Sequence, residues 1–286
     1  AGHDRRRPRR RHRALQRSGR RCAQRGRQRS TRGLLDGHLD VPDEAIGGEA
    51  FVFAGKIYGY FGPTPALLRL PFVLFGFAFG ELSRSYMVAY FVAALVATYL
   101  IFLHARTLLG GSGNPSPIAV MLLVGHVALG STLFFLASRA YVFHEAILCG
   151  ATFALFSCYF SLCHLAAGST HAWRWALLCG LLSLHARPPT GLFALTFLGC
   201  VSVAHLIYHL RTRAVAALPR HLGIGALCVL GVLTFNGLSY LKFKTFDGAP
   251  LRYSRPYGPE RLAHIEGKSF HAANTPYGVY SYFIRP

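Results

Sequence analysis

The sequence predicts an all-α fold, a polytopic transmembrane helix bundle with loops on the outer face of the membrane. Of the 286 residues, 52% are hydrophobic, and the mean hydropathy is positive. The charged residues lie in clusters between long uncharged runs, whereas soluble domains of this size interrupt their apolar residues periodically with charge. The lipid bilayer is therefore the first partner that the sequence implies.

About six crossings are expected, with one shorter apolar helix ahead of them, so that the bundle occupies residues 65–241. The predicted crossings are 85–103, 117–137, 146–163, 173–186, 190–210 and 221–241. Within 65–81, only 11 uncharged residues separate Arg69 from Glu81, which is roughly 16 Å of helix. We interpret that stretch as an interfacial or half-inserted helix that Pro71 bends.

The basic charge is concentrated at the start of the chain. Residues 1–33 hold 14 Arg and one Asp, so they supply +13 of the net charge of +20. Few large apolar side chains occur there, and this tail is expected to be disordered. It is either a tail for nucleic acid or anionic lipid, or a segment that is not native. No specific nucleic-acid partner is expected for the rest of the chain.

Polar segments flank the predicted bundle on both sides. Residues 34–64 contain several acids and turn signals, and the short runs 51–53 and 56–61 can pair as a hairpin. Residues 242–286 are rich in Tyr, Pro and Gly, and this tail is expected to be truncated. The loop 211–220 carries three arginines, and loops rich in Lys and Arg lie preferentially in the cytoplasm. We therefore expect this loop in the cytoplasm and both polar segments on the outer face of the membrane. A multi-pass protein of the cell membrane, a bacterial inner membrane, is predicted.

The candidate catalytic residues are His144 and Glu145, directly before the uncharged run 146–163. A carboxylate beside apolar membrane is costly unless it is paired or lines a wet cavity, so Glu145 predicts a water-facing site at one membrane surface. It acts either as a general base or anchor for a sugar or metal, or only as an acid favoured by the helix macrodipole. The candidate phosphate-binding residues are Arg139, in the same loop, and Arg187, at the start of a later helix.

The sequence does not decide whether a divalent metal ion is a cofactor. The acids between positions 36 and 49 suit Mg²⁺ or Mn²⁺ by type, or they are solvated loop residues. His205 and His209 have the i, i+4 spacing that can bind a metal, or they are interfacial. The seven cysteines include no CxxC pair, and they are expected to be small core residues.

Four short motifs resemble the multi-pass GT-C glycosyltransferases, the superfamily of the protein mannosyltransferases and lipid A aminoarabinose transferase. The motifs are Leu34-Leu35-Asp36-Gly37, Gly62-Pro63-Thr64-Pro65-Ala66-Leu67-Leu68-Arg69-Leu70-Pro71, Phe143-His144-Glu145-Ala146 and Ala186-Arg187-Pro188. The resemblance implies transfer of a sugar from a polyprenyl-phosphate carrier to an acceptor at the outer face. It makes Glu145 the later-loop acid and Arg187 the basic residue near the lipid phosphate.

One departure from the family bears on the reaction. The principal catalytic acid of the family follows its first transmembrane helix, which would lie upstream of Leu34, so Asp36 does not take that role and the chain is expected to be incomplete. The alternative function is a non-catalytic multi-pass protein, such as a transporter or an assembly subunit. The predicted helices hold no Asp, Glu, Lys or Arg near their middles, which argues against a path through the bilayer.

Overall fold

The structure is a computed structural model that describes most of the chain between residues 38 and 255. The described ranges are 38–41, 50–59, 61–77, 82–111, 114–138, 141–213, 218–248 and 250–255, with the single residues 46, 216, 260 and 276. The predictions for residues 1–33, for most acids of 34–49 and for nearly all of 256–286 lie outside this part of the chain.

The helices follow the apolar runs of the sequence, and the predicted all-α polytopic bundle is confirmed. In chain order they are α1 (Thr64–Leu74), α2 (Ser83–Leu108), α3 (Pro117–Gly130), α4 (Thr132–Ser138), α5 (Val142–Ala167), α6 (Thr170–Leu184), α7 (Pro188–Arg211) and α8 (Leu218–Phe243).

Within the described residues, four or five helical spans are long and apolar enough to cross a membrane, against the six crossings predicted. Helices α2, α5, α7 and α8 are long and apolar enough to span a membrane, and α3 with α4 adds a fifth span if the bent pair counts as one. Helix α6, over the predicted crossing 173–186, has 15 residues, which is about 22 Å of helix against an apolar core of about 30 Å. The helices therefore support a multi-pass membrane protein with fewer spans than predicted.

Ser131 causes the break between α3 and α4, where the helix axes are bent by 54°. Its hydroxyl donates to the carbonyl of Val127 at 2.5 Å and accepts from the backbone N–H of Leu133 at 3.2 Å. A serine side chain that bonds to nearby backbone in this way competes with the helical hydrogen bonds. The predicted crossing 117–137 is therefore two helices.

Helix α1 is shorter than the interfacial helix expected over 65–81. It begins after Pro63, contains Pro71 and ends at Leu74. Gly76 follows with φ of +92°, a conformation that glycine adopts without strain and that commonly ends helices. With 11 residues, α1 is about 16 Å long and does not span the apolar core by itself.

Helix α5 is the centre of the bundle and packs against α2, α6 and α7. Hydroxyl groups bond between helices along it: Ser157 donates to Ala176 of α6 at 2.7 Å, Thr152 to Tyr90 of α2 at 2.9 Å, and Ser183 of α6 to Gly150 at 2.7 Å. Small residues and interhelical hydrogen bonds stabilise membrane helices, since lipid provides no hydrophobic drive between them. Large apolar side chains such as Met121 are exposed on the outside, as lipid contact requires.

The predicted hairpin is confirmed. Strands β1 (Phe51–Phe53) and β2 (Lys56–Tyr58) are antiparallel, and Ala54 and Gly55 turn between them with positive φ, as two-residue hairpin loops require. The rings of Phe51 and Tyr58 pack on Phe243, with ring centres 5.8 and 5.5 Å away. The hairpin is thereby fixed against the C-terminal end of α8.

Candidate functional site

Four cationic and acidic residues converge at one end of the bundle, which we call the charged end. Glu145 lies in the first turn of α5, Lys242 in the last turn of α8, and Arg69 within α1. Arg187 directly precedes α7. The exposed fractions are 1% for Arg69, 7% for Glu145 and 8% for Lys242. Three charged side chains are therefore buried together where membrane helices begin and end.

Arg69 and Glu145 form a buried ion pair between Nη2 and Oε1. The other terminal nitrogen of Arg69, Nη1, donates to Ser83 Oγ at 3.2 Å. The guanidinium also lies 5.2 Å from the ring centre of Tyr86, whose hydroxyl donates to the carbonyl of Leu68 at 2.6 Å. A buried pair is tolerated only when such further contacts compensate for lost hydration. These contacts hold the guanidinium in one position.

Lys242 is buried in a different way. Its Nζ donates to the carbonyl oxygens of Gly59 at 3.0 Å and Phe61 at 2.9 Å. Among the described residues, no carboxylate forms a salt bridge with it. Carbonyl oxygens satisfy the N–H groups of a buried ammonium without neutralising it, so the ammonium can attract an anion nearby.

The chain segment that supplies those carbonyls is fixed by a close backbone contact. A Cβ added to Gly62 would lie 2.0 Å from the carbonyl oxygen of His185, and that oxygen accepts a hydrogen bond from the backbone N–H of Thr64 at 3.2 Å. His185 lies between α6 and α7, and its Nε2 is 3.2 Å from Thr234 Oγ1. Burial, and then the charge of Lys242, lower the pKa of His185. Backbone contacts as well as charged side chains therefore hold the charged end together.

A cavity of about 150 Å³ opens between these groups, far above the roughly 10–15 Å³ that one water needs. Arg69, Glu145 and Lys242 line it, and apolar residues such as Ala66 and Leu238 supply much of the wall. Asp40 also lines it but is half-exposed and pairs with Lys56 at 3.8 Å. Of the buried charged groups that the described part of the chain contributes to the wall, two are cations and one is an anion.

The residues predicted from the sequence have different positions. Glu145 lines the cavity and is bound by Arg69, whereas His144 is buried among the rings of Phe135, Tyr141 and Phe143. Arg187 lies at the same end as Glu145, since a Cβ added to Gly150 of α5 would lie 2.6 Å from its Cβ. Its guanidinium is 5.8 Å from the ring centre of Phe61. Arg139 lies outside the described residues.

Sequence reasoning missed Arg69 and Lys242 as members of the site. Each is a basic residue at the edge of or within an apolar run, and in the sequence such residues mark where the uncharged runs end. Lone charges in apolar helices are functional candidates by the same physical reasoning that identified Glu145. Of the acids proposed for a metal, Asp40 is described and is 3.9 Å from His38 and 3.8 Å from Lys56.

Comparisons with family models, with curated proteins and with solved structures gave no match for this chain. The resemblance to GT-C glycosyltransferases therefore stays a prediction. A proposal about function has to be argued from the chemistry of the charged end.

Proposed function

We propose that this membrane protein binds the phosphate of a polyprenyl-phosphate-linked sugar at the charged end and transfers the sugar to an acceptor there. One observation carries the proposal: among the described residues, two buried cations and one buried carboxylate line an apolar-walled cavity at the ends of membrane helices. A phosphate with a long apolar tail matches that combination, because the head group needs cations and the tail needs lipid.

The two cations suit a phosphate in complementary ways. A planar guanidinium can form bidentate hydrogen bonds with two phosphate oxygens, whereas an ammonium acts as a point charge. Arg69 is already oriented by Ser83 and Tyr86, and Lys242 by two carbonyls, so neither loses much freedom on binding. Arg187 places a third cation at the same end of the bundle.

Glu145 would serve as the base. An acceptor hydroxyl loses its proton to the Glu145 carboxylate, its oxygen forms a bond to the anomeric carbon, and the bond from that carbon to the phosphate oxygen breaks. The electron pair of the broken bond leaves with the polyprenyl phosphate, which Arg69 and Lys242 stabilise. A phosphate bound to Arg69 competes with Glu145 for the guanidinium, which would free the carboxylate for the acceptor.

The test is sugar transfer by the full chain in lipid nanodiscs, with a radiolabelled polyprenyl-phosphate sugar as donor. Lys242→Met and Glu145→Gln are expected to lower transfer by about 100-fold or more. The exposed Lys244 provides a matched control, and Lys244→Met should retain full activity. Unchanged transfer in both site variants would remove these residues from the mechanism.

Binding is measured separately, so that a site without catalysis is recognised. Native mass spectrometry should detect polyprenyl phosphate on the wild-type chain, less of it on Lys242→Met, and none of the uncharged polyprenol. Phosphate binding with no transfer to any acceptor would favour the non-catalytic alternative. Equal retention of polyprenol and polyprenyl phosphate would contradict the phosphate site itself.

A further inference from the structure

The opposite end of the bundle holds four histidines from three helices, and we call it the histidine end. His164 lies in the last turn of α5, His205 and His209 in the last turns of α7, and His221 in the first turn of α8. The sequence suggested only the His205–His209 pair. The fold adds His221, which is 12 positions after His209, and His164, which is 41 positions before His205.

Three of these imidazoles lie close enough to share one ion. One ring nitrogen from each of His205, His209 and His221 falls within 4.8 Å of the others. Zn–N bonds of about 2.0–2.1 Å in a tetrahedron hold the ligand nitrogens roughly 3.3–3.4 Å apart. A shift of about 1.5 Å by side-chain rotation therefore converts the present arrangement into a ligand set.

The hydrogen bonds at this end leave ring nitrogens without partners. His205 Nε2 donates to the carbonyl of His164 at 3.2 Å, which leaves the lone pair on Nδ1. Metal-binding histidines commonly donate their second nitrogen to a backbone carbonyl in this way. Among the described residues, the buried Nδ1 atoms of His209 and His221 have no hydrogen-bond partner. His221 is 4% exposed, so water does not readily satisfy that nitrogen.

His164 is placed beside the three ligands. Its ring centre is 5.0 Å from that of His205 and 5.9 Å from that of His221. Its Nδ1 donates to the carbonyl of Ser169 at 3.1 Å, and its buried Nε2 has no partner in the described part of the chain. It is therefore available to bind the ion directly or to bond to a water on the ion's fourth position.

We propose that His205, His209 and His221 form a binding site for a divalent transition-metal ion, with His164 at the fourth position. The donor set selects the metal: imidazole suits Zn²⁺, Cu²⁺ and Ni²⁺, whereas Mg²⁺, Ca²⁺ and Mn²⁺ prefer oxygen ligands. Arg211 and Arg220 are nearby in sequence but exposed, so solvent screens their charge. The ion would join α7 to α8. This inference does not depend on the proposed sugar transfer.

The test uses the full chain without a polyhistidine tag, stripped with EDTA and titrated with Zn²⁺ against a chelating dye. We expect one Zn²⁺ per chain, a rise in Tm on addition of Zn²⁺ and the absorption spectrum of a tetrahedral site with Co²⁺. Single substitutions of His205, His209 or His221 by Ala should weaken Zn²⁺ binding by more than about 10-fold.

His171 supplies a matched control, since it is an exposed histidine near the same end of the bundle. His171→Ala should bind Zn²⁺ as the wild type does. The variants are compared only when their metal-free Tm lies near that of the wild type, and His209→Gln serves if His221→Ala does not fold. A stripped wild-type chain that takes up no Zn²⁺, or equal binding by a variant lacking all three histidines, would overturn the proposal.

Discussion

The charged end and the histidine end of the bundle keep buried polar groups in different ways. Helix α5 joins them, with Glu145 in its first turn and His164 in its last, 19 positions apart and therefore separated by about 28 Å. At the charged end, Arg69 and Lys242 have close partners in Glu145, Ser83 and two backbone carbonyls. At the histidine end, ring nitrogens are buried without described partners.

This difference reflects what each kind of buried group costs without a partner. Full charges cannot be buried without partners, so the charged end had to be closed by contacts within the protein. Burying a neutral imidazole nitrogen without a hydrogen bond costs less free energy than burying an unpaired charge. The histidine end can therefore be stable before a ligand binds. Two single positions also differ: Gly62 at the charged end is in close backbone contact, whereas Gly225 at the other end has open space.

The largest expected effect comes from breaking the ion pair. Arg69→Met or Glu145→Gln should each lower the free energy of unfolding by about 3–5 kcal/mol, because one buried charge loses its partner. The double variant should cost no more than the worse single one, since no unpaired charge remains. Thermal unfolding in detergent micelles measures all three. Additive losses would show that the two residues act independently.

The second effect tests the difference in packing between the two ends. Gly62→Ala should destabilise the protein by about 1–3 kcal/mol, because its Cβ would meet the backbone of His185. Gly225→Ala, within α8, should stabilise it by up to about 0.5–1 kcal/mol, because alanine favours helix and open space surrounds the position. Similar effects of the two substitutions would remove the contrast in packing.

The third effect concerns the unpaired nitrogens. In metal-free buffer, His221→Leu should be neutral or stabilising by up to about 1 kcal/mol, since it replaces a buried polar atom that lacks a described partner with an apolar group. With Zn²⁺ added, the same variant should lose the rise in Tm that the wild type shows. A large destabilisation without metal would mean that His221 has a structural role already.

The smallest effect is on the dependence of stability on pH. Burial, and then Lys242, lower the pKa of His185, so the unfolded chain takes up this proton first as the pH falls. Stability should therefore decline as the pH drops below the unfolded value of about 6.5. His185→Gln should reduce that decline. Denaturant titrations at several pH values compare the slopes.

Local features of the structure were predictable because they depend on neighbours in the sequence. The hairpin at Phe51–Tyr58 follows from two apolar runs around a two-residue turn. The break at Ser131 was missed because nothing in the apolar run 117–137 shows that this hydroxyl bonds to backbone instead of to another helix. The short span of α6 was missed because the crossing over 173–186 was predicted from its apolar composition, whereas the helix has only 15 residues.

The site was partly predictable for the same reason. A lone acid at the start of an apolar run identified Glu145 without knowledge of its surroundings. Arg139 and Arg187 were predicted as phosphate-binding cations near it, whereas the structure pairs Glu145 with Arg69, 76 positions away. Which cation meets the acid depends on where α1 crosses α5, and no local pattern contains that information.

The amino-acid sequence by itself determined that the chain is a bundle of membrane helices, because the length of an uncharged run decides whether it can cross the apolar core. It also determined that Glu145 has to be paired or to line a wet cavity. Only the tertiary structure decided that Arg69 is that partner, that carbonyls of Gly59 and Phe61 hold Lys242, and that His221 joins His205 and His209. These groups are distant along the chain, and only the packing of the helices brings them within bonding distance.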